Sequence, residues 1–161
     1  MKTRLPDELI AQLPDTDKKA PVFALDGGGW IIAGKHALIV CDERAIVNSG
    51  MWWEIQYASL DAESRLLMVQ WADPQRRPLV VKLVDEKPAK FMSAVTESVN
   101  HSMVVSKSVR AANGTTITAT IRRRDDDQLF STVAADGDLD AEGERLANRL
   151  EAEVREGVGL E

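Results

Sequence analysis

The sequence is short of several residue types that particular functions require. It has one cysteine, Cys41; a lone thiol forms no internal disulfide and fits a reducing compartment, so a cytoplasmic location is expected. It has two histidines, His36 and His101, and nothing of metal-ligand spacing stands near either, so no metal and no cofactor is expected. No apolar run approaches the roughly 18 residues of a membrane span. The basic start Met1-Lys2-Thr3-Arg4-Leu5-Pro6 is followed by no apolar stretch of the kind a secretory signal needs, which argues against export and against integral membrane association. Basic residues are outnumbered, 20 Lys and Arg against 26 Asp and Glu, for a net charge of −6. Such a surface repels phosphate backbones unless its basic residues gather on one face, which argues against a nucleic-acid partner. Aromatics are few, yet four of them are tryptophan, so the tryptophans are worth following.

What is present is an ordinary globular composition, 44% apolar and 29% charged, long enough to form a core without disulfide or metal staples. Leu5, Leu9 and Leu13 recur at four-residue spacing, with Pro6 and two acids suited to a first helical turn and Pro14 as a stop. From Pro21 to about Leu83 the pattern is strand. Val22–Leu25, Trp30–Ala33, Ala37–Cys41, Ala45–Val47, Trp52–Ala58, Leu66–Trp71 and Pro78–Val84 are short apolar or alternating runs, separated by turn-forming clusters. Within the fifth run, Trp53, Ile55 and Tyr57 should share one face at period two. The period then changes: Phe91, Val95 and Val99 predict a helix over Lys87–Ser102, capped by Asp85 with Pro88 in its first turn. Strand patterns return at Met103–Val109, Thr115–Arg122 and Leu129–Val133, the first two joined through Asn113-Gly114. Asp140 caps a last helix that carries Leu146, Leu150 and Val154 on one face and a Glu151–Arg155 pair on the other.

Short strands with a turn every eight to twelve residues and one following helix predict an α+β protein, an antiparallel β-barrel closed by a helix. Residues 1–20 read as an N-terminal helix and linker, 21–102 as the barrel with its capping helix, and 103–161 as a β-hairpin plus C-terminal helix packed on the barrel. Gly28-Gly29-Trp30-Ile31-Ile32-Ala33, Trp53-Glu54-Ile55-Gln56-Tyr57-Ala58 and Leu66-Leu67-Met68-Val69-Gln70-Trp71, with Leu139-Asp140 and the ending Val158-Gly159-Leu160, resemble a group of actinobacterial proteins of unassigned function. Those proteins carry a bacterial pleckstrin-homology-like (PH-like) barrel at their N-terminus. The resemblance implies a fold and no activity. Similar proteins usually have Thr and Arg where this chain has Gly34 and Ala37, which removes one candidate phosphate contact.

Residues that invite a functional reading are few. Asp26-Gly27-Gly28-Gly29 precedes a strand and opens with an acid, so it reads as a β-turn in place of a phosphate cradle. Cys41 with a histidine and an acid would make a nucleophilic triad, but its apolar strand reads as core. No Gly-x-Ser-x-Gly elbow is present, so nothing supports an enzyme. Arg122-Arg123-Arg124 is the sole basic cluster, followed at once by Asp125-Asp126-Asp127. Trp30, Trp53 and Trp71 fit inward positions. Trp52 must point the opposite way from Trp53, either covered or, with Met51, an exposed anchor of the kind interfaces favour. The candidate interaction surface is therefore Met51, Trp52, Arg122, Arg123 and Arg124. The expected function is a non-enzymatic module that binds a protein or peptide partner through a sheet edge or the Met51-Trp52 region. The alternatives are peripheral contact with anionic lipid, through Lys35, Arg44, Arg76 and Arg77, and a small enzyme.

Overall fold

A computed structural model describes residues 5–73, 75–84 and 88–160. The chain divides into two compact units, Met1–Val99 and Asn100–Glu161.

The first unit contains α1 (Asp7–Gln12), seven strands and most of α2 (Ala89–Ser102). The strands are β1 (Val22–Ala24), β2 (Trp30–Ala33), β3 (Ala37–Cys41), β4 (Ile46–Met51), β5 (Ile55–Asp61), β6 (Leu66–Trp71) and β7 (Leu79–Lys82). They form two antiparallel meanders, β1-β2-β3-β4 and β5-β6-β7. Among the described residues an isolated bridge, Leu25↔Leu83, links the residues that follow β1 and β7, supported by Asp26 N–H on the Lys82 carbonyl at 2.8 Å. Among the described residues the expected closed barrel is thus replaced by two sheets linked at that bridge.

β2 and β3 are apolar throughout because both faces of their sheet are covered. Ile31 opposes Val40 and Ala33 opposes Leu38 in register, and all four enter one core with Ile55, Leu67, Val69 and Trp71. Ile32 opposes Ile39 and Trp30 opposes Cys41; these turn the other way, onto Leu5, Leu9 and Leu13. The four-residue leucine spacing therefore docks α1, which is too short to persist unpacked. α2 presents Phe91, Val95 and Val99 to the first core, and the Phe91 ring lies 6.2 Å from that of Phe23. Each such side chain contributes roughly 1.5–3 kcal/mol on burial. The proposed Asp85 cap and the predicted helix start at Lys87 lie outside the described residues.

Two glycines are required by close approach. A Cβ at Gly50 would stand 2.2 Å from Cζ3 of Trp71, and one at Gly34 would stand 2.6 Å from Oδ2 of Asp17. Asp17 is buried and accepts the Lys35 N–H at 2.8 Å. That geometry is a structural reason for glycine at 34.

The second unit holds β8 (Met103–Arg110), β9 (Thr116–Arg123), β10 (Leu129–Ala135) and α3 (Ala141–Gly157). Its sheet has the order β10-β9-β8, so the expected hairpin is a three-stranded meander. Ile117, Ala119 and Ile121 pack with Ala147, Leu150 and Val154 of α3 in a core of their own. Asp140 Oδ1 accepts the Gly143 N–H at 2.7 Å and starts α3 as an N-cap.

Replacing Gly50 by alanine is expected to cost about 1–3 kcal/mol of folding stability, the usual penalty of overpacking. Urea unfolding monitored at the tryptophan emission band checks it; an unchanged midpoint would refute the Gly50–Trp71 constraint.

Candidate functional site

Met51 ends β4, and Trp52–Glu54 form one turn of 3-10 helix before β5. That turn breaks the period-two pattern. Glu54 Oε2 accepts the Met51 N–H at 3.0 Å, and the Ala72 N–H donates to the Glu54 carbonyl at 2.8 Å. The turn rotates Trp52 into the core, 5% exposed, where its Nε1 donates to the Gly34 carbonyl at 2.9 Å. Trp52 is therefore covered and is not an exposed anchor, and Met51 beside it is half-buried. Trp71 is equally buried, whereas Trp30 and Trp53 are partly exposed. A bulge between Ile55 and Tyr57 then shifts the register. Ile55 is buried and Tyr57 is 48% exposed, so the two do not share a face.

The three arginines are parted as well. Arg122 is fully buried, opposite Met103 and Phe130 in the sheet, and burial pulls its guanidinium below its usual pKa. Arg123 Nη1 donates to the His101 carbonyl at 3.1 Å and lies 3.3 Å from that ring's Nε2. Arg124 is at the β9–β10 turn with its guanidinium 5.2 Å from the Phe130 ring centroid. Adjacent strand residues point to opposite faces, so consecutive arginines do not add into one patch.

Cys41 is buried, and its thiol donates weakly to the Trp30 carbonyl at 3.7 Å. Burial raises its pKa, offset in part by the backbone of Trp30 and reinforced by a smaller rise from Asp42. Gly27, Gly28 and Gly29 all have positive φ and close the β1–β2 hairpin, with the Leu25 N–H on the Gly29 carbonyl at 3.0 Å. Among the described residues no three His, Cys, Asp or Glu side chains gather as a metal would require, and no helix is long and apolar enough to cross a membrane. Of the loop basic residues, Arg76 is already engaged. Its guanidinium lies 3.5 Å from the Trp71 ring centroid, bonds Asn48 Oδ1 and the Ser49 carbonyl at 3.1 and 2.8 Å, and stands 3.6 Å from Glu54.

The feature that residue-by-residue reading passed over is the edge strand β10, which pairs with β9 alone in its sheet. Its seven residues, Leu-Phe-Ser-Thr-Val-Ala-Ala, carry no charge and no proline. Its register with β9 runs unbroken from Leu129↔Arg123 to Ala135↔Ile117. Asp127, at φ 65°, forms the tight turn with its N–H on the Arg124 carbonyl. Ser131 locks the strand to α3: its Oγ donates to Glu151 Oε2 at 2.8 Å and accepts from Arg155 Nη1 at 2.9 Å. Val133, Ala134 and Ala135 are exposed. Of the other edge strands, β1 and β7 meet at the Leu25↔Leu83 bridge, and β4, β5 and β8 are guarded. β4 has Arg76 on its Ser49 carbonyl and a bulge in its pairing with β3. β5 and β8 each carry charge, Asp61 in one and Lys107 and Arg110 in the other, and each is bulged. Charges and bulges are the usual protection of a sheet edge.

Two measurements separate these roles. Arg122→Ala should lower stability by about 2 kcal/mol or more through lost packing of a long buried side chain. Arg124→Ala should stay within about 0.5 kcal/mol; equal midpoints in urea would refute the assignment. For Cys41, folding disfavours the thiolate, so its contribution to stability is intact below the unfolded pKa and is lost as pH rises through the folded value. Ellman's reagent at pH 8 should therefore react at least tenfold more slowly with native than with urea-unfolded chain, and equal rates would place the thiol at the surface.

Comparison of the chain with protein-family models, with curated proteins and with solved structures returns no match.

Proposed function

We propose that the protein is a non-enzymatic interaction module that binds an extended segment of a partner protein by strand addition to β10. The observation that carries this reading is an uncharged, unbulged, partly exposed edge strand in a chain whose edge strands β4, β5 and β8 are guarded. An edge strand offers a row of backbone donors and acceptors, and an incoming strand gains affinity from the ladder and selectivity from alternate side chains. Acids flank the strand on both sides, Asp125, Asp126 and Asp127 before it and Asp136 and Asp138 after it. Asp136 is held in place by the Thr116 N–H at 2.7 Å. The favoured segment thus has a short β-branched centre with lysine or arginine at its ends. Val133 supplies the cross-strand apolar contact, worth roughly 0.2–1 kcal/mol per pair.

In this reading residues 1–99 are the scaffold, a PH-like half-open barrel. Its support is the four-plus-three division of seven antiparallel strands, the β1–β7 bridge and a helix following β7. Anionic lipid is less favoured as the ligand because Arg76 is spent on Trp71 and β4 and the net charge is −6.

The test is a fluorescein-labelled peptide with a Val-Thr-Val-Thr-Val centre and two lysines at each end, followed by anisotropy and by amide shifts of labelled protein. Saturable binding with shifts concentrated at β10 is expected. Val133→Lys combined with Ala135→Lys should weaken it at least tenfold without changing the unfolding midpoint. Binding that leaves β10 amides unmoved, or none at all, would overturn the reading.

A further inference from the structure

We infer that the outer face of β5-β6-β7 is a self-association surface for a second copy of this chain. The proposal is independent of strand addition at β10, since it uses a sheet face and not an edge, in the first unit and not the second.

The alternation of the strands sorts this sheet into two faces. Ile55, Ala58, Leu60, Leu67, Val69, Trp71, Leu79 and Val81 belong to the first core. The opposite face carries Tyr57, Ser59 and Asp61 from β5, Leu66, Met68 and Gln70 from β6, and Val80 and Lys82 from β7. Three of its apolar side chains are well exposed, Tyr57 at 48%, Leu66 at 40% and Val80 at 54%. They surround the half-buried Met68, so they form one contiguous patch and not scattered residues. The other two sheets lay an apolar face against a helix, α1 for β2 and β3, and α3 for β9.

The register identifies the occupant. Asp61, Leu66 and Lys82 stand in one row across the three strands, and Ser59, Met68 and Val80 in the next. β6 is the central strand, so a two-fold axis laid along β6 over this face exchanges β5 with β7. It sets Leu66 on Leu66 and Met68 on Met68. It also brings Asp61 of each copy opposite Lys82 of the other, twice over. A two-fold axis across the strands would instead set the charged row against the Tyr57 and Gln70 row and leave both charges unmatched. A self-complementary patch of this kind is what an isologous interface requires, and two sheets stacked in this sense have the aligned packing of β-sandwiches. The charges have capacity for it. Asp61 Oδ1 accepts the Glu63 N–H of its own turn at 3.0 Å, which leaves the carboxylate's other oxygen. Lys82 Nζ makes only a loose 3.9 Å pair with Asp26 and has three donors.

The patch is small. Three strands about 4.8 Å apart and rows of some five residues give a footprint on the order of 250 Å², well short of the roughly 800 Å² per partner of a tight complex. The dimer is therefore a weak one in rapid exchange, populated near millimolar concentration.

Sedimentation velocity of the full chain from about 10 μM to 1 mM should show a weight-average mass that rises toward the dimer. Val80→Glu, at an exposed site where folding should be indifferent, should raise the dimer dissociation constant at least tenfold. Lys82→Glu alone should weaken the dimer severalfold, and adding Asp61→Lys to it should restore association, because the swapped charges meet again. Circular dichroism confirms that each variant is folded. A chain that stays monomeric to 1 mM, or a dimer indifferent to Val80→Glu and to the charge swap, would overturn the proposal.

Discussion

Trp71 needs a flat, closed slot where β6 ends, and much of the first unit is arranged to supply it. Gly50 removes the Cβ that would collide with the ring, so β4 passes directly beneath the indole. Arg76 lies against the ring and reaches on to Asn48, Ser49 and Glu54, while the indole N–H donates to the Arg77 carbonyl at 3.1 Å. One side chain thereby ties β4, the turn after it, β6 and the following loop to a common point. The Ser49 carbonyl that Arg76 occupies also blunts the edge of β4, so the cation serves packing and edge protection together. Because the guanidinium is committed in this way, the loop it comes from contributes little free positive charge.

The same economy runs through the turn at Met51–Glu54. The Glu54 carboxylate accepts the Met51 N–H and its carbonyl accepts the Ala72 N–H, which bends the chain sharply enough to tuck Trp52 under the β2–β3 turn. The Trp52 N–H and indole N–H then bond the His36 and Gly34 carbonyls. Trp52 and Trp71 thus satisfy their polar atoms inside the fold, which is what burial of an indole demands.

Much of this was readable in the residues themselves, where the pattern was local. The leucines of α1, the stripe Phe91, Val95 and Val99 of α2, the apolar runs of β2 and β3 and the Asp140 cap each announce their element by spacing alone. What was not readable depended on features that spacing does not encode. The 3-10 turn and the bulge after Ile55 add a rotation, so Trp52 goes in and Tyr57 goes out, against a strict alternation. Arg122 looks like a surface charge in the sequence because the strand face that buries it is set by partners far along the chain. β10 escaped notice because an uncharged strand is unremarkable alone; it stands out only beside the guarded edges of β4, β5 and β8.

That contrast bears on why β10 is built as it is. An edge without charge, proline or bulge carries an aggregation hazard, and this chain has the means to avoid one, since it places Lys107 and Arg110 on β8 and Arg76 against β4. Charge is instead moved just past both ends of β10, where the aspartates lie. Charges there repel other copies of an acidic chain while leaving the ladder itself open. A segment with basic ends meets the opposite field and gains from it. The outer face of β5-β6-β7 has the reverse arrangement, an acid and a base in one row, which a second copy of the chain can answer and a uniformly basic segment cannot. The two surfaces therefore differ in the sign pattern of their rims, and through it each favours a different kind of partner.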